Sequence, residues 1–307
     1  MLIFGDTLVT IYRMIISPLR YPGGKAKLSS FLNDLLILNS IEDSTLVELY
    51  AGGAGASLLL LYQGAVGHVH INDLDPHIYL FWWSILNRSD EFIKMIIETE
   101  INIEVWQRQK YIYTNYEDFS EIEVGFSTFY LNRCNRSGIL FNAGPIGGIN
   151  QLGKYKIDAR FNKSSLIDRI QKIQSMSERI TLTNQEALDI LRSREMNYSQ
   201  VLFFLDPPYY NQGENLYLNA YNHNNHKVLS EILQKEKSLK WLLTYDNCPE
   251  ILELYKVSTT AELPMKYTLQ SKKTAKEIMI ISDNLCMPKN LRLYNKTNPL
   301  NILGTYQ

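Results

Sequence analysis

Short apolar runs alternate along this chain with stretches whose apolar positions recur at helical spacing. Leu28, Phe31, Leu32, Leu35 and Leu36 predict a first helix. Residues 45–61, TLVELYAGGAGASLLLL, read as strand, glycine turn and helix, and 68–76, HVHINDLDP, as a second strand ending in acids. Helical spacing resumes from Ile78 through Phe81, Trp82, Ile85 and Leu86, then Phe92, Met95 and Ile96. An amphipathic helix is expected over 164–179 and a short strand over 180–182. Residues 201–210, VLFFLDPPYY, open with five apolar or aromatic residues, the mark of a buried parallel-sheet strand. A helix at 222–233, a strand at 239–245 and a helix at 250–255 follow. Last strands are expected near 266–269 and 277–282, around a polar SKKTAK turn. The tail from Pro288 shows no clear period and is expected to be peripheral, and no internal repeat is seen.

The strand at 201–205 carries the sharpest chemistry. Asp206 stands where it ends, the edge at which open α/β sheets bind ligands. Pro207 and Pro208 lack an N–H, so few local donors compete for their carbonyls, and Tyr209 and Tyr210 add flat faces. A carboxylate, a proline carbonyl and a ring suit a planar heterocycle with an exocyclic amine: the acceptors take its two hydrogens and the ring stacks. The glycine turn presents amides at a helix start, but Leu58 stands where a dinucleotide fingerprint needs its third glycine, which tells against an NAD-type turn. A cofactor with an amino-acid head remains open. Asp73, about twenty residues beyond the turn, occupies the usual place of a ribose-binding acid. In RYPGGKAK, Gly23 and Gly24 allow close backbone approach and Lys25 can reach an anion.

Charge alters the picture by its distribution. The 307 residues carry a net charge of −1, yet 89–123 hold nine acidic against three basic residues and 131–172 two against eight. Within the basic block lie Asn132, Arg133, Asn135, Arg136, Lys154 and Lys156. Arg and Asn read guanine and adenine edges, so this block is a candidate nucleic-acid reader. Cys134, Cys248 and Cys286 form neither a disulfide framework nor a zinc pattern, so a cytoplasmic location is expected. No apolar run reaches membrane-spanning length, and no signal peptide is expected. The recognisable pattern begins only at Ser17, which makes Met14 a candidate start.

RYPGGK, ELYAGGAG, Asp73, the NRxNRSG block and DPPY, in this order, resemble the Dam-type (D12 class, alpha group) DNA adenine-N6 methyltransferases. The resemblance runs from about Ser17 to Ser282. It implies an α/β, Rossmann-like S-adenosylmethionine-dependent fold, with a mostly parallel sheet and one reversed strand. It also implies a mainly helical target-recognition insertion, bounded here at 84–163 between catalytic segments 1–83 and 164–307. By position, Tyr21, Gly23, Lys25, Tyr50, Gly52, Gly53, Asp73, Glu186 and Asp206 would hold the cofactor. Asp206, Pro207, Pro208 and Tyr209 would be catalytic, with Tyr209 stacked on a flipped adenine. Arg20, Asn132, Arg133, Asn135, Arg136, Lys154 and Lys156 would meet double-stranded DNA. No metal is expected, since the sulfonium is already a good leaving group. A cognate restriction or defence-system protein is a possible partner. Leu49 replaces the family's usual proline, and the turn has an extra small residue, leaving open which of Gly53 and Gly55 touches cofactor. Rival readings are a cytosine-N4 or RNA amino-methyltransferase, and a catalytically silent DNA-binding relative.

Overall fold

The computed structural model describes residues 14–21, 24–193, 200–211, 221–264, 277–293 and 296–304. Strands β1 (Thr45–Glu48), β2 (His68–Asn72), β3 (Ile180–Thr183), β4 (Val201–Leu205) and β5 (Lys240–Asp246) run parallel in the order β3-β2-β1-β4-β5. Beyond β5 lie β7 (Glu277–Ile281) and then β6 (Thr259–Leu263), with β7 antiparallel to both. This is the reversed strand the resemblance implies. The order reverses between β1 and β4, which opens a crevice at their carboxyl ends.

The central strand explains the apolar run. All five residues of β4 are buried, and the pleat sends Leu202 and Phe204 into the core on one face and Val201, Phe203 and Leu205 into the other. A strand covered on both faces has no polar side to show.

Helix α1 (Ser29–Leu38) follows a 3-10 turn at Lys25–Leu28, and α2 (Gly55–Tyr62) follows the glycine turn. Helices α3 (Pro76–Asn87), α4 (Ser89–Glu98), α5 (Ile103–Thr114), α6 (Glu121–Cys134) and α7 (Lys163–Gln174) pack together. Phe81, Phe92, Phe126 and Phe129 form an aromatic cluster in a core that continues to the sheet. Gly125 lets α6 close on α3, since a Cβ there would lie 2.5 Å from the Leu80 carbonyl. Ser120 and Glu123 form a capping box that starts α6. Residues 135–162, in the second half of the stretch expected to be an insertion, are irregular. They have a 3-10 turn at Arg136–Gly138 and a single bridge between Asn135 and Pro145.

Toward the C-terminus one expectation changes. The strand expected near 266–269 lies outside the described residues, among which β6 at 259–263 precedes β7. The tail is not shapeless: β8 (Asn290–Leu293) and β9 (Lys296–Pro299) form a hairpin against α1, tied by Arg292 to Asp34. Strand β10 (Ile302–Gly304) adds a second reversed strand, antiparallel to β6 at the sheet edge. Its three residues are too few for a period to show. Helices α8 (Ala187–Arg192), α9 (His223–Lys235) and α10 (Pro249–Leu254) complete the catalytic layers. Among the described residues, no helix is long and apolar enough to cross a membrane.

Candidate active site

The crevice is lined by Tyr21, Lys25, Glu48, Tyr50, Gly53, Gly55, Asp73, Asp75, Glu186, Asp206 and Pro208, and by Tyr113, Gly138 and Phe141 from the insertion. Both Gly53 and Gly55 line it. Gly52 does not. Its φ is +46°, and a Cβ would fall 2.6 Å from the Tyr21 ring. Its amide donates to Asp73 Oδ2 (2.8 Å) and its carbonyl accepts from Trp82 Nε1 (2.9 Å). Gly52 is therefore a brace beneath the turn. Gly23 lies outside the described residues.

Asp73 also accepts from the Asp75 amide through Oδ1 (3.0 Å). Burial pushes its carboxyl up to about 7, and Asp75 adds to the rise. Glu48, at the end of β1, is 7% exposed, and its Oε2 has no hydrogen-bond partner among the described residues. Burial raises Glu48 to about 8. Across the cavity, the Tyr50 and Tyr221 hydroxyls meet at 2.9 Å, and Tyr221 donates to Glu186 Oε1 at 3.1 Å.

Asp206 is held at both oxygens. Lys25 Nζ donates to Oδ2 (2.7 Å), and the Thr244 hydroxyl on β5 donates to Oδ1 (2.6 Å). Lys25 also donates to the Tyr209 hydroxyl (2.9 Å), which in turn donates to Glu277. Glu277 Oε1 lies 3.7 Å from Lys25 Nζ. Burial lifts Glu277 to about 7; Asp206 reinforces this, and Lys25 and the Tyr209 hydroxyl oppose it. The turn after Tyr209 is pinned by Asp246, which accepts from the amides of Tyr210 (2.9 Å) and Asn211 (3.1 Å).

Tyr209 is 7% exposed and its ring lies under Lys25, away from the cavity wall. The expected stacking role is corrected accordingly: the hydroxyl is committed to a buried network, and the ring offers no free face. The aromatic at the cavity rim is Phe141, half exposed on the irregular half of the insertion.

The expected DNA readers divide into two groups. Asn132 is fully buried; it accepts from the Arg20 amide (2.7 Å) and donates to the carbonyls of Arg20 (3.0 Å) and Gly138 (2.9 Å). Asn135 accepts from Trp106 Nε1 (2.7 Å) and donates to the Ile139 carbonyl (2.8 Å). Arg133 is 8% exposed and donates to the carbonyls of Arg160 and Pro18. Base reading by these three is corrected, because α6 turns their side chains inward to fasten backbone. Arg136, Lys154 and Lys156 are exposed, and Arg20 is half-buried.

Sequence reasoning missed Glu48, Thr244, Tyr221, Phe141 and Glu277. Glu277 had one legible signal: an acid opening an apolar strand. Because β7 is reversed, its first residue lies level with Asp246 at the end of β5, beside the site.

No curated protein sequence matched the chain. Among solved structures, the rRNA methyltransferase aviRa from Streptomyces viridochromogenes aligns at TM-score 0.39 and 12% identity, over 92% of this chain and 95% of that one. SMU.472, a protein assigned by inference as a methyltransferase and complexed with SAH, aligns at TM-score 0.38 and 10% identity, over 90% of this chain and 55% of that one. From Tyr21 at the cavity wall to the segment between β6 and β7, residues 21–271 match the model of the D12 class N6 adenine-specific DNA methyltransferases, and the chain belongs to that family, whose reaction moves the methyl of S-adenosylmethionine to adenine N6 in DNA.

Proposed function

We propose that Asp206 and the Pro207 carbonyl receive the N6 amine of an adenine turned out of the duplex, with the cofactor lying along Gly53, Gly55 and Glu48. The observation that carries this reading is the placement of Asp206 at the sheet's switch point, facing the cavity and held by Lys25 and Thr244. A cationic adenosyl cofactor fits the cavity, for Glu48, Asp73, Asp75 and Glu186 line it and Glu48 Oε2 has no hydrogen-bond partner among the described residues. S-adenosylmethionine supplies an electrophilic methyl on sulfur.

The chain's own groups do the rest. An amine delocalised into its ring is a poor nucleophile, and hydrogen bonds from its N–H groups to Asp206 and Pro207 favour the rehybridised form. Lys25 and Thr244 fix the Asp206 carboxylate, so that little reorganisation accompanies reaction. Tyr209 positions Lys25. Phe141 offers the stacking face for the extruded base, whose release from the duplex costs a few kcal/mol. Residues 84–163 form the recognition unit, with Arg136, Lys154 and Lys156 as its DNA-facing side chains. Three unpaired cysteines, two of them buried, accord with a reducing cytoplasm. A cognate restriction or defence-system protein would share the target sequence.

The test is mass spectrometry of methylated adenine in host DNA, with the wild-type protein and with Asp206→Ala. Wild type should add N6-methyladenine and the variant none, while it still binds DNA. Substantial methylation by the variant would overturn the role of Asp206, and N4-methylcytosine in its place would overturn the substrate. Methylome sequencing of the same DNA gives the target sequence.

A further inference from the structure

Four arginines gather around the segment at residues 17–20, and none of them makes an ion pair among the described residues, although Asp168 offsets part of the repulsion at Arg169. Arg133 reaches the Arg160 carbonyl through Nε (2.7 Å) and the Pro18 carbonyl through Nη1 (3.3 Å), so residues 18 and 160 flank its guanidinium. Arg169 Nη1 donates to the Ser17 carbonyl (3.1 Å), and Arg20 Nη1 to the Asn135 carbonyl (3.2 Å). Their hydrogen bonds run to backbone carbonyls and the Ser165 hydroxyl, and Arg160 lies over the Tyr155 ring. Among the described residues, none of the four makes an ion pair with a carboxylate, whereas Lys172 and Arg292 nearby do. Burial lowers the Arg20 pKa, and Arg160 lowers it further. Arg133 falls to about 9, through burial first and then Arg20 and Arg169.

Mutual repulsion of this kind destabilises the free protein unless an anion relieves it. The cluster adjoins the cavity through its backbone: Tyr21, next to Arg20, lines the wall, and Gly138, also in the lining, lies so close that a Cβ would sit 2.2 Å from the Arg20 carbonyl. Arg160 is exposed, and Arg20 and Arg169 are half-buried, so their remaining N–H groups are open to a ligand. Guanidinium groups match phosphate oxygens in geometry and charge.

We infer that Arg20, Arg160 and Arg169 bind a backbone phosphate of the DNA strand that carries the target adenine, with Arg133 as the buried brace that holds them. This rests on the reading that duplex DNA meets the cavity mouth. It gives the basic block a phosphate-positioning task in place of the base reading expected of Arg133.

Binding of a mixed-sequence duplex, followed by fluorescence anisotropy from about 50 to 200 mM salt, tests it. Arg160→Gln and Arg169→Gln should each flatten the slope of log K against log salt. Because they share one phosphate, the double variant should lose only about 0.9 of slope. Arg160→Lys should restore most of that loss. Cofactor affinity should stay at its wild-type value, and the melting temperature of Arg160→Gln, whose side chain is exposed, should not fall, whereas loss of a purely structural contact would lower it. A wild-type slope in the double variant, with methyl transfer to DNA by wild type intact, overturns the phosphate site alone. Absence of transfer and of DNA binding in wild type overturns the underlying reading.

Discussion

Replacing Glu48 by Gln should remove a proton that cofactor binding releases. Glu48 is buried at the cavity wall with one oxygen unpartnered, and its carboxyl is raised to about 8. At pH 7 such a group is about nine-tenths protonated, and ionising it costs about 1.4 kcal/mol. S-adenosylmethionine carries a sulfonium and an ammonium against one carboxylate, so a net positive charge entering beside Glu48 favours its ionised form. Binding at pH 7 should then release about 0.9 proton from Glu48, and up to about 0.5 more from Asp73, which stands at about 7. Calorimetry in buffers of differing ionisation enthalpy measures that number directly. Affinity should rise nearly tenfold from pH 6 to pH 7 on account of Glu48 alone, since tighter binding follows the lost proton. Glu48→Gln should lower the release by about 0.9 proton and remove one unit of the pH slope. Adenosine, which lacks both cationic groups, should release little in either protein. Equal proton release by wild type and Glu48→Gln would refute the reasoning, as would proton uptake.

Three further outcomes follow from the same geometry. Glu48 and Glu277 titrate above the ordinary carboxylate range, so the folded protein keeps protons that the unfolded chain has shed, and their contribution to stability is lost as pH rises from about 4.5 toward 8. Buried His70 and His226, lowered to about 4, act in the opposite sense, so the measure is the cofactor-free melting temperature of wild type minus that of Glu277→Gln, which should fall over that window. A difference that rises would contradict the assignment. Tyr209→Phe strips Glu277 of a donor and Lys25 of an acceptor, and should cost about 1–3 kcal/mol in stability and slow transfer, read by denaturation and initial rates. A variant that matches wild type in both would leave the hydroxyl idle. Phe141→Ala should weaken binding to a duplex with an unpaired adenine by about 1–3 kcal/mol at unchanged cofactor affinity, and equal loss on fully paired DNA would assign Phe141 to general contact.

The sheet was legible because its strands are either buried on both faces, as β4 is, or followed by acids and glycines that mark their ends. Two acids of the cavity were legible for the same reason: Asp73 and Asp206 each follow the end of a parallel strand, whereas Glu48, the last residue of β1, stood unremarked before the glycine turn. The insertion was opaque in a specific way. An Asn or Arg that reads a base and one that caps a buried carbonyl look alike in sequence, since both need donors in a plane. What separates Asn132 from Arg136 is the turn of α6 at Cys134, after which the chain leaves the core. Strand β10 and the contact of Glu277 with Tyr209 depend on chain reversal far along the sequence, which no local period records.

Those placements give the near-neutral net charge a meaning. Around the cavity, Glu48, Asp73, Asp75, Glu186 and Asp206 face inward, with Lys25 the cation among the described lining residues, and Lys25 is already shared by Asp206, Tyr209 and Glu277. Near the cavity, Arg20, Arg133, Arg160 and Arg169 make no ion pair with a carboxylate among the described residues, though Asp168 adjoins Arg169. An acid-lined cavity favours a cation, and an arginine cluster favours an anion. The −1 of the whole sequence therefore conceals a local separation of charge.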